Sequence, residues 1–296
     1  MTNVSLEITG LTKIFDTPAG PYIAVKDVHA RLTDGEFVCI VGHSGCGKST
    51  VLSIIAGLQQ ATFGGVAING KEVDEPGSDR GVVFQSPSLL PWLSAGENVS
   101  LAVGRAFPKY TRAQRREQAE KYLELVGAAG CYDQKPTELS LGTQQCVSMA
   151  RALSIEPKFL LLDEPFSMLD SLTRLDLQDK LLDVWEKSRK IVVMVTHDID
   201  EALYLADRII LMTDGPEARV GEVYTVPFAR PRNRTEVLDH TDYYACRTYL
   251  IDFLENRRTG GRIAHSFRML TYERYSHLCG FGPSTNSAGA VSYDQH

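Results

Sequence analysis

The feature that most constrains this chain is a glycine-rich segment, GHSGCGKST at positions 42–50, which matches the pattern G-x-x-x-x-G-K-[ST]. A continuous apolar run at 37–41 precedes it, and a stretch with helical periodicity at 48–58 follows it. A buried strand, a glycine-rich turn and a helix in this order favour a parallel α/β core. The segment is therefore predicted to be a phosphate-binding loop between a strand and a helix.

The residues of this loop have separate expected roles. Its glycines let backbone N–H groups turn toward the phosphates without a clash from Cβ. Lys48 is expected to place its charge on the β- and γ-phosphates of ATP, and Ser49 to bind Mg²⁺. Cys46 lies close to a helix N-terminus, which favours a thiolate, so its alkylation is expected to block nucleotide binding and ATP to protect it. The predicted nucleotide-binding positions are Gly42, Ser44, Gly45, Cys46, Gly47, Lys48, Ser49 and Thr50.

Two acidic residues, Asp163 and Glu164, end a second apolar run at 159–162. Because that run is expected to be a buried strand, both acids should lie at its C-terminal end, beside the phosphate loop of a parallel sheet. Asp163 suits a water-mediated hold on Mg²⁺, and Glu164 suits polarising the water that attacks the γ-phosphate. Together the two motifs predict a site that binds ATP and Mg²⁺ and hydrolyses the nucleotide.

Strand and helix patterns alternate along most of the chain, as in a parallel α/β core. Strand patterns occur at 4–8, 37–41, 65–68, 82–84, 159–162, 192–195 and 209–212. Helical patterns occur at 48–58, 97–103, 112–126, 143–155, 173–188 and 199–207, and one further helix-like segment at 237–256. We predict a nucleotide-binding domain at 4–225 with a helical subdomain at about 86–157, a C-terminal helical extension at 226–258 and a weakly ordered tail at 259–296.

Charge and apolar patterning narrow the class of protein. The chain has 31 basic and 37 acidic residues and a formal charge of −6, which counts against nucleic acid as a partner. The N-terminus lacks the apolar region of a secretory signal, and no apolar run approaches the roughly 18 residues of a membrane span. We therefore expect a cytosolic protein that meets a membrane only through a partner. The six cysteines form no CxxC pair, so most are expected to be packed, reduced thiols.

Four further segments accompany the phosphate loop and the acids: Gln85 after GVVF, LSLGTQQ at 139–145, SMLD at 167–170 and VTHD at 195–198. In this order and at this spacing, the six motifs resemble those of the ATPase subunits of ABC transporters. The resemblance covers about residues 4–225. It implies a P-loop ABC-type nucleotide-binding domain, α/β in class, with a mixed sheet core, an antiparallel β portion at the N-terminus and an inserted helical subdomain.

The resemblance also implies roles for individual residues. Gln85 matches the glutamine that reaches toward Mg²⁺ and the attacking water and senses the membrane subunit. His197 matches the switch histidine that contacts the γ-phosphate, and Asp170 matches an aspartate that works across the interface between two ATPase subunits. Phe15 matches the aromatic residue that stacks on adenine, and Tyr22 is the alternative because the intervening DTPAGPY makes the alignment loose.

The signature segment departs from the family pattern, which usually reads L-S-G-G followed by Gln or Met. Ser140 and Gly142 match the residues that cap the γ-phosphate bound by the opposite subunit, but Leu141 stands at the first glycine. Thr143 and Cys146 also differ from the usual residues. Because a leucine side chain where backbone must approach phosphate should obstruct closure, we expect this chain to pair with a second, non-identical ATPase subunit.

The sequences around the motifs resemble one branch of importers, those for nitrate, sulfonate and taurine. The relevant segments are SPSLLPWLSAGENV at 86–99 and DEPFSMLDSLTRLDLQ at 163–178, and the segment at 230–257 further resembles cyanobacterial-type nitrate and bicarbonate subunits. Nitrate is the first expectation for the cargo, with bicarbonate, cyanate and sulfonate left open. The implied partners are two transmembrane permease subunits, a second ATPase and, indirectly, a substrate-binding protein, at the cytoplasmic face of the plasma membrane.

Three other classes of ATP-using protein fit this sequence less well. A chromosome-maintenance ATPase would separate the phosphate loop from the signature by a long coiled coil, whereas Lys48 and Ser140 are 92 positions apart. A translation-associated ABC protein would carry two cassettes in one chain, and this chain has one. A small-molecule kinase would lack the signature and the switch histidine.

Overall fold

Two β-sheets and eight α-helices make up the computed structural model, which describes residues 4–258. The strands are β1 (Val4–Thr17), β2 (Gly20–Thr33), β3 (Phe37–Val41), β4 (Phe63–Ile68), β5 (Lys71–Glu72), β6 (Arg80–Val83), β7 (Phe159–Asp163), β8 (Ile191–Thr196), β9 (Arg208–Met212) and β10 (Val220–Thr225). The helices are α1 (Lys48–Ile55), α2 (Ala95–Ala106), α3 (Arg112–Leu125), α4 (Leu141–Ser154), α5 (Ser171–Ser188), α6 (Ile199–Leu205), α7 (Arg234–Leu238) and α8 (Tyr243–Arg258).

The larger sheet carries the phosphate loop. Its six strands follow the order β10-β9-β3-β8-β7-β6, and every pairing except β9 with β10 is parallel. β3 and β8 are buried along their whole length, as continuous apolar runs predict for the centre of a parallel sheet. Because β3, β7 and β8 run in the same direction, the residues that follow each of them gather at one edge of the sheet.

The smaller sheet is antiparallel, in the order β2-β1-β4-β5. The sequence patterns indicated β1 and β4 but no strand at β2. The stretch DTPAGPY, which the alignment treats as an insert, contains the turn that joins β1 to β2, and Thr17 pairs with Gly20 at its tip. Core residues of this sheet pack with α1 in one apolar cluster that also includes one face of the larger sheet.

Three helices fill the middle of the chain, where helical patterns were expected. Side-chain caps fix the starts of α2 and α3: Ser94 and Glu97 form a capping box at α2, and Thr111 and Gln114 form one at α3. All three helices pack on one another through a shared apolar cluster, which also covers the second face of the larger sheet. α4 begins at the signature segment, so this packing holds that segment in place.

The C-terminal part contains two helices, so the single helix-like segment expected at 237–256 is wrong. Asn233 caps the start of α7 by accepting the N–H groups of Thr235 and Glu236, which begins the helix earlier than apolar periodicity indicated. The chain then turns at 239–242, where His240 Nδ1 accepts the N–H of Asp242 at 3.2 Å. That local side-chain bond competes with a continuous helix.

The expected fold class is confirmed: an α/β chain with a mixed sheet, an antiparallel portion at the N-terminus and inserted helices. The domain boundaries stay predictions, and the tail expected at 259–296 lies outside the described residues. Within the described chain, no helix combines the length and apolar character that crossing a membrane requires.

Candidate active site

The loop at 42–47 turns sharply between β3 and α1, and two of its glycines are required for that path. Gly47 has φ +86° at the N-cap of α1, and a Cβ there would collide with Val25 of the antiparallel sheet. A Cβ on Gly42 would lie 2.8 Å from Cys46 Sγ. The loop therefore brings its backbone N–H groups to the N-terminus of α1, the arrangement that binds phosphate groups.

Lys48 lies beneath this loop with only 5% of the residue exposed. Its Nζ donates to the carbonyl oxygens of Gly42 and His43, both at 2.8 Å. The two bonds hold the ammonium group inside the curve of the loop. The role of Lys48 in binding the nucleotide phosphates stays a prediction.

The structure contradicts the expected thiolate at Cys46. The residue is 1% exposed, and burial raises the pKa of its thiol despite the nearby charge of Lys48, whose Nζ lies 3.9 Å from Sγ. Desolvation outweighs the helix N-terminus because the charged form loses its water. Cys46 is thus a packed thiol under the loop, and four other cysteines in the described chain are buried as well, as most were expected to be.

Ser49 and Asp163 come together between α1 and the end of β7. Ser49 Oγ donates to Asp163 Oδ1 at 2.8 Å, and burial raises the pKa of the Asp163 carboxyl while this bond opposes the rise. A hydroxyl and a carboxylate beside a phosphate loop fit Mg²⁺, which prefers oxygen ligands and takes only one or two of them from the protein. Within residues 4–258 no cluster of three or more acidic, histidine or cysteine side chains could hold a metal ion independently.

Glu164, Gln85 and His197 form one contact group at the same edge of the sheet. Gln85 Nε2 donates to Glu164 Oε2 at 3.0 Å, and His197 Nδ1 lies 3.4 Å from Glu164 Oε1. Glu164 follows β7 with φ +45°, an uncommon backbone conformation for this residue type, and its N–H donates to Val195 of β8. The structure thus places two of the predicted catalytic residues, Gln85 and His197, each in contact with the third, Glu164.

Ser140, Gly142 and Asp170 line a different cavity, of about 350 Å³. Ser140 Oγ caps α4 by accepting the N–H of Thr143 at 3.1 Å, and Asp170 caps α5 by accepting that of Thr173. The hydroxyl and backbone bonds from Thr173 lower the pKa of Asp170. Among the described residues, none from the phosphate loop lines this cavity, so one copy of the chain separates the two groups of predicted site residues.

The two aromatic candidates for adenine, Phe15 and Tyr22, are cross-strand partners in the β1–β2 hairpin. Directly paired residues of an antiparallel ladder project to the same face, so the pair forms one aromatic surface. A Cβ on Gly215 would lie within 3.6 Å of Tyr22 Oη and 3.3 Å of Gly45 O, so the hairpin tip is close to the phosphate loop. Phe15 and Tyr22 both stay predictions for the adenine contact.

Two connections in the site region were not found from the sequence. Thr196 Oγ1 donates to the buried carboxylate of Glu201 at 2.8 Å, next to His197. His43, a variable position of the phosphate loop, contacts the carbonyl oxygen of Leu254 in α8 through Nε2 at 3.0 Å. Glu201 could have been singled out because it is an acidic residue three positions after the THD segment. Its burial could not be predicted from the sequence pattern.

Known proteins are similar to this chain in sequence and in fold. Residues 25–167 match the family model described as ABC transporter. The chain is 51% identical over 245 residues to the nitrate import ATP-binding protein NrtD of Synechococcus elongatus, an alignment that covers 83% of this chain and 89% of the relative. It is 48% identical over 252 residues to the bicarbonate transport ATP-binding protein CmpD of the same species, with 85% and 91% covered.

A solved structure agrees with these relatives. The dimeric, post-hydrolysis structure of an ATP-binding cassette bound to ADP and Pi has a TM-score of 0.69 and 34% sequence identity to this chain, and covers 75% of this chain and 98% of that cassette. The long alignments and the site geometry lead to the same conclusion. This chain belongs to the ABC transporter family and is an ATP-binding ATPase of that family.

Proposed function

We propose that this chain hydrolyses MgATP at an interface with a second ATPase subunit and thereby energises the import of a small anion, nitrate first and bicarbonate second. The contact group of Glu164 with Gln85 and His197, beside Ser49 and Asp163, is the observation that carries the catalytic part. The similarity to NrtD and CmpD supports the cargo class, and cyanate and sulfonates are the remaining alternatives.

Ser49 and Gln85 would bind Mg²⁺ directly, and Asp163 would hold it through water. When bound with ATP, the metal supplies positive charge that neutralises the developing charge on the phosphate oxygens. Lys48 and the N-terminus of α1 bind the same phosphates from the loop side. These contacts orient the γ-phosphate toward the edge of the sheet where Glu164 lies.

Glu164 would accept a hydrogen bond from the attacking water and so align and polarise it. Gln85 and His197 already contact the two oxygens of this carboxylate, which restricts its orientation. The side chain of His197 is 60% exposed, so it remains accessible to the γ-phosphate of a bound nucleotide. Positioning and electrostatic stabilisation are the main contributions that phosphoryl transfer asks of a protein.

A second subunit would complete the site, because Ser140, Gly142 and Asp170 line a cavity separate from the phosphate loop. These residues would serve the ATP bound by a partner, and the partner's signature would cover the ATP bound at Lys48. Leu141 is 54% exposed at the first turn of α4, where the partner's phosphate would approach. The proposed partner is therefore a non-identical ATPase, as NrtC and NrtD are two differently named proteins.

The proposed assembly also contains two transmembrane permease subunits and receives its cargo from a substrate-binding protein, with this chain at the cytoplasmic face of the membrane. A direct test is reconstitution. The chain is co-purified with its membrane subunits and second ATPase, placed in vesicles with ATP on the cassette side, and supplied with the binding protein and isotopically labelled nitrate or bicarbonate.

We expect ATP-dependent uptake of nitrate that is lost in a complex carrying Lys48→Ala. Uptake of bicarbonate without nitrate would move the proposal to its second cargo. Uptake of neither ion, in a complex that hydrolyses ATP, would refute both the nitrate and the bicarbonate assignment and leave cyanate and sulfonates to be tested in the same way. Failure of the chain to associate with membrane subunits during purification would contradict the importer role.

A further inference from the structure

Glu201 is a buried carboxylate that bonds to the segment carrying His197. Only 7% of the residue is exposed, although it lies in the first turn of α6. Its Oε2 accepts the hydroxyl of Thr196 at 2.8 Å, and its Oε1 accepts Nε2 of Gln178 from α5 at 3.0 Å. The carboxylate therefore joins the end of β8, the start of α6 and the middle of α5.

The segment between Thr196 and Asp198 is tied down on both sides of His197. Thr196 Oγ1 accepts the N–H of Asp198 at 3.0 Å while it donates to Glu201. Asp198 in turn caps α6 by accepting the N–H groups of Asp200 and Glu201. The path of the chain through His197 thus depends on the hydroxyl of Thr196, whose proton is directed to Glu201.

A purely structural role would not require a buried carboxylate at this position. Asp198 already provides the side-chain cap of α6. An exposed acidic residue in the first turn would interact with the helix dipole without losing its water. Burying the charge of Glu201 is costly even with Arg174 Nε 4.0 Å from its Oε1, and such a group fits a position where its hydrogen bonds specify a particular geometry.

A continuous series of side-chain hydrogen bonds extends from Glu201 to the C-terminal part of the chain. Gln178, 1% exposed, donates to Glu201 and accepts from Arg234 of α7 at 3.0 Å through Oε1. Arg234 also pairs with Asp179. The position of the switch segment is thereby connected, through two buried side chains, to the region that follows the nucleotide-binding fold.

We propose that Glu201 is a positioning residue for ATP hydrolysis, which fixes the segment 196–198 so that His197 is held beside Glu164. The proposal rests on the catalytic assignment of His197 made above. It adds a residue that touches neither nucleotide nor metal and acts through Thr196. Its charged form is the one that accepts both observed hydrogen bonds.

The charge state of Glu201 offers a readout that a merely structural residue would not give. Burial raises its pKa to about 7, with Asp198 adding to the rise and the Thr196 bond, Arg174 and His197 opposing it. Below that pH the carboxyl carries a proton that needs an acceptor, and only the bond to Thr196 can reverse, because the amide nitrogen of Gln178 donates and does not accept. The charged or titratable groups that face Glu201 or share its cavity are Cys39, Arg174, His197, Asp198, Asp200, Tyr204, Arg234 and Tyr243.

The test measures kcat and KM for ATP from pH 6 to pH 8.5 in the assembled complex. In the wild type we expect kcat to rise through a pH near 7 with little change in KM. Glu201→Gln fixes the neutral form, so this component of the profile should disappear and kcat at pH 8 should fall roughly tenfold, the effect of losing one hydrogen bond to a charged group. Asp200→Asn is the matched control, because its carboxylate bonds to Tyr243 and Arg247 instead.

Two Thr196 variants keep the test decisive if Glu201→Gln does not fold. Thr196→Ser retains the hydroxyl and should keep the wild-type profile, while Thr196→Val removes it and should reproduce the loss of the component near pH 7. Unchanged kcat and profile in both Glu201→Gln and Thr196→Val, with turnover abolished in His197→Ala, would overturn the positioning role alone. Full turnover in His197→Ala would overturn the catalytic assignment and the proposal with it.

Discussion

Lys48 illustrates how one side chain can organise a whole loop. Its ammonium group is almost fully buried and pairs with two backbone carbonyls of the loop it belongs to. The same group is the one that we propose contacts the phosphates of ATP. Substitution should therefore affect nucleotide affinity through both the lost charge and the loosened loop.

We expect Lys48→Ala to weaken ATP binding by roughly 10- to 100-fold, since a hydrogen bond to a charged group contributes about 1.5–3 kcal/mol. Titration of the purified chain with ATP, followed by calorimetry, measures the change. Lys158→Ala removes an exposed lysine elsewhere and serves as the control. Equal affinity in the wild type and Lys48→Ala would contradict the role given to the loop.

Glu164→Gln preserves the size of the side chain but removes its capacity as a base. Because Gln85 and His197 would still bracket the side chain, binding should persist while the attacking water is no longer polarised. We expect steady-state hydrolysis to fall roughly 100-fold or more, within the range of general-base contributions. Retention of unhydrolysed ATP on the assembled complex, measured with labelled nucleotide, checks this prediction, and brisk turnover would refute it.

At the scale of single elements, α6 depends on a buried acid in its first turn. The pKa of Glu201 is raised from 4.5 to about 7, so the folded chain binds this proton more tightly than the unfolded chain does. Raising the pH from about 4.5 to about 7 therefore favours the unfolded state. For this group alone, the free energy of unfolding should fall by roughly 3 kcal/mol across that interval.

Urea denaturation at pH 5 and pH 7.5 tests the stability effect. The wild type should lose more stability between the two pH values than Glu201→Gln, whose side chain does not titrate. Glu236→Gln, an acid-to-amide change in the first turn of α7, is the control and should follow the wild type. An identical pH dependence in the wild type and Glu201→Gln would show that this carboxyl has an ordinary pKa.

The whole molecule holds its predicted site residues in two separate groups. The group around Lys48, Glu164 and His197 lies at the edge of the larger sheet, whereas Ser140 and Asp170 line a separate cavity at the starts of α4 and α5. One chain alone therefore cannot enclose a nucleotide with both groups. In the proposed assembly, the activity of each complete site depends on which subunit's signature segment covers its nucleotide.

We expect a homodimer of this chain to hydrolyse ATP at least tenfold more slowly than the complex with its second ATPase, because Leu141 would stand at both interfaces. Leu141→Gly should raise the homodimer rate, since it restores the close backbone approach that phosphate requires. Leu172→Gly, at another exposed leucine outside the signature, is the control. If the unmodified homodimer released phosphate as fast as the complex with the second ATPase, the hypothesis of unequal sites would be wrong.

The sequence predicted the fold class and the position of the phosphate loop between a strand and a helix, because those signals are local. A buried strand, the glycine turn and the start of α1 follow one another directly, so the phosphate loop needed no tertiary information. The hairpin partner of β1 and the break between α7 and α8 were missed for local reasons as well. In β2 polar and apolar residues do not alternate cleanly, and at α7 one asparagine cap outweighed apolar periodicity.

By itself the sequence indicated the chemistry: which loop is expected to bind phosphate, which two acids lie at the end of β7 and which histidine follows β8. Only the tertiary structure decided how these groups are held. Cys46, expected to be a reactive thiolate, is instead a desolvated thiol, because the loop folds over it. Glu201, an ordinary acid in the sequence, becomes a buried junction between α5, α6 and β8. Burial and contacts between distant segments set those properties, and neither is encoded in the residues adjacent to them in the chain.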